Sequence, residues 1–185
     1  FISNVEEYPT ETLFKKIAFL RVPIRLGEDV FTTGEIGQQK GKRLCETMQG
    51  FSYIMSAFNV ESYKAYATCA MREARNGKSV AEQIQKECDL NIEIISGTKE
   101  AETIFAGGMN EVVDDDKTYL YVDVGGGSTE VIVYSKSVKV EACSFPLGTV
   151  RMLNDAVDKE EMKHFKKRLK NITEKYTPDA IIGSG

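Results

Sequence analysis

Three successive glycines at 125–127 interrupt a strand-forming stretch, and no other feature constrains the fold as much. Residues 119–124 before them and 130–134 after them read as strands, so the glycines must turn the chain back on itself in a β-hairpin. Ser135-Lys136-Ser137 marks a second tight turn, and 138–145 is a third strand, which completes an antiparallel meander. Upstream the rhythm differs. Residues 15–26 alternate as a strand with one slip of register, and 27–33 read as a polar loop. Thr33 then caps a helix to about Asn59, with Ile36, Leu44, Met48, Phe51, Met55 and Phe58 on one face. A strand at 62–69, a turn holding Arg72 and Glu73, a helix at 79–88, a strand at 91–95 and a helix from Ser96 to about Ala106 follow. The alternation β-α-β-α indicates an α/β layer. Gly107, Gly108 and the aspartates 114–116 mark a boundary at 107–117 between two domains. A final helix carries Met162, Phe165, Leu169, Ile172 and Tyr176 at helical spacing, and Ala180-Ile181-Ile182 opens a last strand. Phe1-Ile2-Ser3-Asn4 reads as the tail of a strand and Gly183-Ser184-Gly185 as the start of a loop, so the chain is expected to be an internal piece of a longer one.

Composition removes several classes. With 185 residues, 42% hydrophobic and 28% charged, the chain is neither disordered nor too short for a core. The apolar runs are strand-sized, so no membrane partner is expected. A net charge of -4 argues against nucleic acid as a partner. The four cysteines lie far apart and there is one histidine, which excludes the common zinc motifs and predicts a reducing, cytoplasmic compartment. His164 reads as a surface residue, and the basic residues 163–170 read either as a solvated helix face or as a track for a polyanion.

The segment Asp123-Val124-Gly125-Gly126-Gly127-Ser128-Thr129-Glu130 holds the strongest chemical signal. Glycines permit positive φ and close approach of a ligand, and their amides, with the Ser128 and Thr129 hydroxyls, suit an anion. Asp123, at the strand end, suits a hydrated magnesium ion. The loop runs into a strand rather than a helix and has Glu130 where a dinucleotide fingerprint has its third glycine. Gly41-Lys42 lacks the other residues of a Walker A loop. A ligand-free hairpin turn stands as the other reading, although it needs fewer than three glycines. Glu100 lies in the first turn of a helix just after a strand. It serves there either as a dipole-complementing residue with capping-box spacing from Gly97 or as a general base activating water. Arg72 follows Thr68 at a strand end, either as a phosphate clamp or as an ion-paired surface arginine.

Ala67-Thr68 with Arg72-Glu73-Ala74, Ile94-Ile95-Ser96-Gly97 with Glu100-Ala101, the glycine segment 123–130, and Pro146-Leu147-Gly148-Thr149-Val150-Arg151 come in one order. Together they resemble the exopolyphosphatase/guanosine pentaphosphate phosphohydrolase (Ppx/GppA) family over about residues 17–185. The resemblance implies an α/β architecture of two ribonuclease H-like, actin-like ATPase domains around a cleft. Residues 1–112 would be the first, lacking its opening strand and phosphate loop, and 117–185 the start of the second. It implies Glu100 as the catalytic base, and Asp123 and Glu130 at Mg²⁺. Arg72, Gly125, Gly126, Gly127, Ser128 and Thr129 would hold phosphate. The implied activity is hydrolysis of the terminal phosphate of inorganic polyphosphate or of the 5′ γ-phosphate of pppGpp, in a family whose members often form homodimers. A kinase of the same superfamily and a non-catalytic nucleotide-dependent binding module are the alternatives.

Overall fold

The computed structural model describes all residues except 9–11, 107–113, 115 and 137, and the backbone alone at 105–106. Its elements run β1 (Ile2–Glu7), β2 (Thr12–Ala18), α1 (Leu26–Thr33), α2 (Gln38–Ala57), β3 (Ala65–Ala67), α3 (Cys69–Glu73), α4 (Gly77–Cys88), β4 (Ile92–Ile94) and α5 (Gly97–Ala106). There follow β5 (Thr118–Val124), β6 (Thr129–Ser135), β7 (Val138–Phe145), α6 (Thr149–Leu153), α7 (Lys159–Tyr176) and β8 (Ala180–Ser184). This is a mixed α/β fold. Among the described residues no helix is long and apolar enough to cross a membrane.

The chain divides into two interleaved units. One comprises Phe1–Arg25, Gly37–Ala65 and Ser79–Ile92, and the other Leu26–Ile36, Tyr66–Lys78 and Glu93–Gly185. The boundary expected at 107–117 falls mostly outside the described residues, and this division is set by contacts rather than by chain order. In the first unit β1 and β2 form an antiparallel hairpin, Ser3 opposite Lys16 and Glu7 opposite Thr12. The strand expected at 15–26 therefore ends at Ala18, where its pairing partner runs out. Leu44 and Cys45 of α2 are buried in this unit, as are Ile84 and Cys88 of α4. The helix begins after Gly37 rather than at Thr33.

The second unit is built on a four-stranded sheet in the order β7-β6-β5-β8, with β5–β6 and β6–β7 antiparallel and β8 parallel to β5. The meander lies where the glycines and the turn after Ser135 predict it, Ser137 of that turn lying outside the described residues. Side chains alternate across a strand, so each strand feeds two cores. Leu120, Val131, Val133 and Phe145 face one side, where Ile172, Phe165 and Leu169 of α7 cover them. Tyr119, Tyr121, Ile132 and Tyr134 face the other, against Ala101 of α5. This parity puts Asp123 on the α5 face, two residues beyond Tyr121, and Glu130 on the same face, two before Ile132. The helix α7 starts at Asp158, whose side chain accepts a hydrogen bond from the Glu160 amide.

Three short helices depart from the sequence expectation. The polar stretch at 27–33 is helical because Val30 is buried, the Thr32 and Thr33 hydroxyls bond back to the Glu28 and Asp29 carbonyls, and Gly34 at φ 80° ends the turn. Arg72 and Glu73 sit on the short helix α3 rather than in a turn, and α6 occupies a stretch with no periodicity long enough to read.

Ile132 is fully buried and Ile181 largely exposed. Ile132→Ala should lower unfolding free energy by about 2–5 kcal/mol in urea titrations. Ile181→Ala should stay within about 0.5 kcal/mol of the unaltered protein.

Candidate active site

All the residues singled out by the sequence fall in the second unit. Glu100 is placed by the start of α5. Ser96 caps that helix, its hydroxyl accepting from the Lys99 amide at 3.2 Å, so Glu100 is not consumed in a capping box. Its Oε2 lies 3.6 Å from Nη1 of Arg72 and, though buried, accepts no hydrogen bond. Arg72 is held by the Ile95 carbonyl, to which Nη1 donates at 2.6 Å. Burial, then the charge of Glu130, pushes the Glu100 carboxyl up from an ordinary 4.5 to about 6, while Arg72 and Thr68 pull the other way.

Glu130 is fully buried on β6. Its Oε1 accepts from the Ser144 hydroxyl at 2.9 Å, and its Oε2 has no partner. Burial holds this carboxyl above the ordinary range, against the pull of Ser128, Ser144 and Arg72. Asp123 stands directly opposite Glu130 in the β5–β6 register, so the two Cβ atoms are about 5 Å apart. Ser184 of β8 donates to Oδ1 of Asp123 and is itself bonded to the Tyr121 hydroxyl. Gly97 is required here by close approach, because a Cβ would run into the Ser144 side chain. Glu100, Glu130, Asp123 and Arg72 thus form one cluster, with three carboxylates to one guanidinium. Among the described residues there is no group of three or more histidine, cysteine or acidic side chains arranged as a complete metal site.

The glycine turn closes with the Gly125 amide donating to the Ser128 carbonyl at 2.9 Å. None of its glycines has positive φ, contrary to the expectation from their conformational freedom. Gly126 and Gly127 are needed for packing. A Cβ on Gly127 would strike Phe31 and Cys69, and one on Gly126 would press on Val150 at 3.2 Å. The loop carbonyls are occupied from α6, where the Thr149 amide donates to Gly125 at 3.0 Å and the Val150 amide to Gly126 at 2.8 Å. Among the described residues no backbone hydrogen bond is donated by Gly126, Gly127 or Ser128, and these amides are the groups that suit an anion. Thr129 differs from the sequence expectation, since its buried hydroxyl donates to the Leu147 carbonyl at 2.6 Å and braces the loop. Ser128 is buried too, its hydroxyl directed to Glu130.

A further residue escaped the sequence reading. Arg151 is buried, and its Nε donates to the Gly127 carbonyl at 2.6 Å while Nη2 pairs with Glu73. Its place in the block 146–151 was the one available signal, and no spacing assigned it a role.

The model of the Ppx/GppA phosphatase family matches residues 5–182. The chain belongs to this family. Among curated relatives, exopolyphosphatase 1 of Mycobacterium tuberculosis is 28% identical over 138 residues, covering 73% of this chain and 39% of that protein. An exopolyphosphatase from Cytophaga hutchinsonii has the same fold at a TM-score of 0.84 and 25% identity, over 99% of this chain and 62% of that one. The Aquifex aeolicus Ppx/GppA family member superposes at a TM-score of 0.71 and 24% identity, over 99% of this chain and 61% of that one, a likeness of fold. This Ppx/GppA chain spans about two fifths of the mycobacterial relative's length and about three fifths of these solved structures.

A glutamate whose folded pKa lies near 6 against 4.5 unfolded adds stability below pH 4.5 and loses it as pH rises through 6. Glu100 is only 15% exposed, so the shift corresponds to roughly 2 kcal/mol. Glu100→Gln should therefore raise the urea midpoint at pH 7.5 in metal-free buffer, and most of that gain should vanish at pH 4.5.

Proposed function

We propose that the protein is a phosphoanhydride hydrolase that removes the terminal phosphate of inorganic polyphosphate, or the 5′ γ-phosphate of pppGpp, with Glu100 as general base. The observation that carries this reading is the buried Oε2 of Glu100, which accepts no hydrogen bond although Arg72 lies 3.6 Å away and which feels the charge of Glu130. A desolvated carboxylate with an oxygen that accepts no hydrogen bond and a pKa of about 6 is ionised at neutral pH and basic enough to draw a proton from water. Family membership and the likeness to exopolyphosphatases of Mycobacterium tuberculosis and Cytophaga hutchinsonii support the reaction class.

Phosphoryl transfer to water asks mainly for positioning and charge neutralisation. Arg72 is anchored at Ile95 and keeps further N–H donors for a phosphate oxygen. The amides at 126–128 offer a second set of donors to the chain of phosphates. Mg²⁺ fits the residues present: Glu130 Oε2 has no partner, Asp123 stands opposite it, and the cluster carries excess negative charge. With only these two carboxylates, a hydrated ion sharing its shell with substrate phosphate is the arrangement that suits them. It would offset the phosphate charge there. Ser184 fixes one oxygen of Asp123 and leaves the other for this task.

The test is phosphate release from long-chain polyphosphate and from pppGpp, with Mg²⁺ or EDTA. Release should require the cation, fall about 100-fold or more in Glu100→Gln, and decline below pH 6. Release that is absent from the unaltered protein, or undiminished in the variant, would overturn the reading.

A further inference from the structure

Arg151 joins parts of the second unit that are far apart in sequence. Its Nε donates to the carbonyl of Gly127, inside the glycine turn, at 2.6 Å. Its Nη2 pairs with Glu73 at the end of α3 and lies 3.6 Å from the Cys69 sulfur at the start of the same helix. The guanidinium stacks on Phe31, 4.1 Å from the ring centroid. The neighbouring residue of Glu73 on α3 is Arg72, which reaches Glu100. One side chain therefore links the loop proposed to hold phosphate to the helix that carries the proposed phosphate clamp.

We infer that Arg151 is a positioning residue, which sets the glycine turn at a fixed distance from Arg72 so that both engage one phosphate chain. The inference rests on the hydrolase reading for its substrate class and adds to it a residue that does not touch the reacting atoms. Three features of the site call for such a brace. The turn has no side chains at 125–127 to hold it, and its own ring contains one hydrogen bond, from Gly125 to Ser128. The α6 amides fix Gly125 and Gly126, which leaves the Gly127 carbonyl to Arg151. Arginine alone has a planar fork that can give one N–H to a carbonyl and another to a carboxylate while its face lies on a ring. Lysine keeps the charge, but its donors sit on one nitrogen and cannot reproduce that spaced, planar pair of bonds.

The experiment compares the unaltered protein with Arg151→Lys and Glu73→Gln, each first checked for cooperative unfolding. Binding of imidotriphosphate, which resists hydrolysis, is measured by calorimetry with Mg²⁺, and KM and kcat are measured with polyphosphate. Loss of one charge-assisted hydrogen bond should weaken imidotriphosphate binding and raise KM about tenfold in Arg151→Lys. In kcat the change should be smaller. Glu73→Gln should act in the same direction, and the double variant should be little worse than either single one. Phe31→Leu serves as a second variant that spares both hydrogen bonds, and it should change KM less than Arg151→Lys. If Arg151→Lys folds and binds imidotriphosphate as the unaltered protein does, the positioning role is overturned while the hydrolase reading stands. If the unaltered protein binds imidotriphosphate, and Arg151→Lys weakens that binding, without any phosphate release, the positioning role stands and the hydrolase reading falls. Failure of the unaltered protein to bind would overturn both.

Discussion

A fully buried carboxylate, that of Glu130, sets the terms for everything around it. An ionised carboxylate is expensive to bury unless its oxygens are satisfied. Here one oxygen accepts from Ser144 and the other accepts nothing, with Asp123 opposite and Glu100 adding a further negative charge. Arg72 supplies positive charge to the cluster. Such an arrangement is poor for stability, and the proposed polyanion and cation would relieve it, because the carboxylates leave a buried oxygen without a hydrogen bond.

The apolar sheet explains how this polar cluster is tolerated. Asp123 and Glu130 lie at the glycine end of their strands, and the same face is otherwise aromatic and aliphatic from Tyr119 to Tyr134. The start of α5 covers that end, close enough that Gly97 cannot carry a side chain against Ser144. Burial of Glu130 and elevation of the Glu100 pKa to about 6 are thus two consequences of one contact, the seating of α5 on β6 and β7.

Long, strongly patterned elements were legible in the chain. The meander, the amphipathic helices and the last strand follow from periods of two and 3.6, which the core side chains enforce over many residues. The hairpin position of the glycines, and the placing of Glu100 just after a strand, were equally readable. Short helices were not: α1, α3 and α6 are 8, 5 and 5 residues long, too brief for a hydrophobic period to declare itself. Thr129 looked like an anion donor because its hydroxyl sits in a glycine segment, and nothing local announces that the Leu147 carbonyl accepts its proton. Arg151 was invisible as a brace for the same reason, since its partners lie 24 and 78 positions away.

The sequence by itself determined the α/β class, the hairpin that presents the glycine turn, and which charged residues could be proposed for phosphate chemistry. Those follow from local rules, namely side-chain period, turn chemistry and the charge a residue carries. Tertiary structure decided which charges meet, which hydroxyls are already committed, and why the glycines are needed. These depend on cross-strand register and on helix seating. A one-residue slip of β5 against β6 would break the pairing of Asp123 with Glu130 and leave the sequence pattern intact.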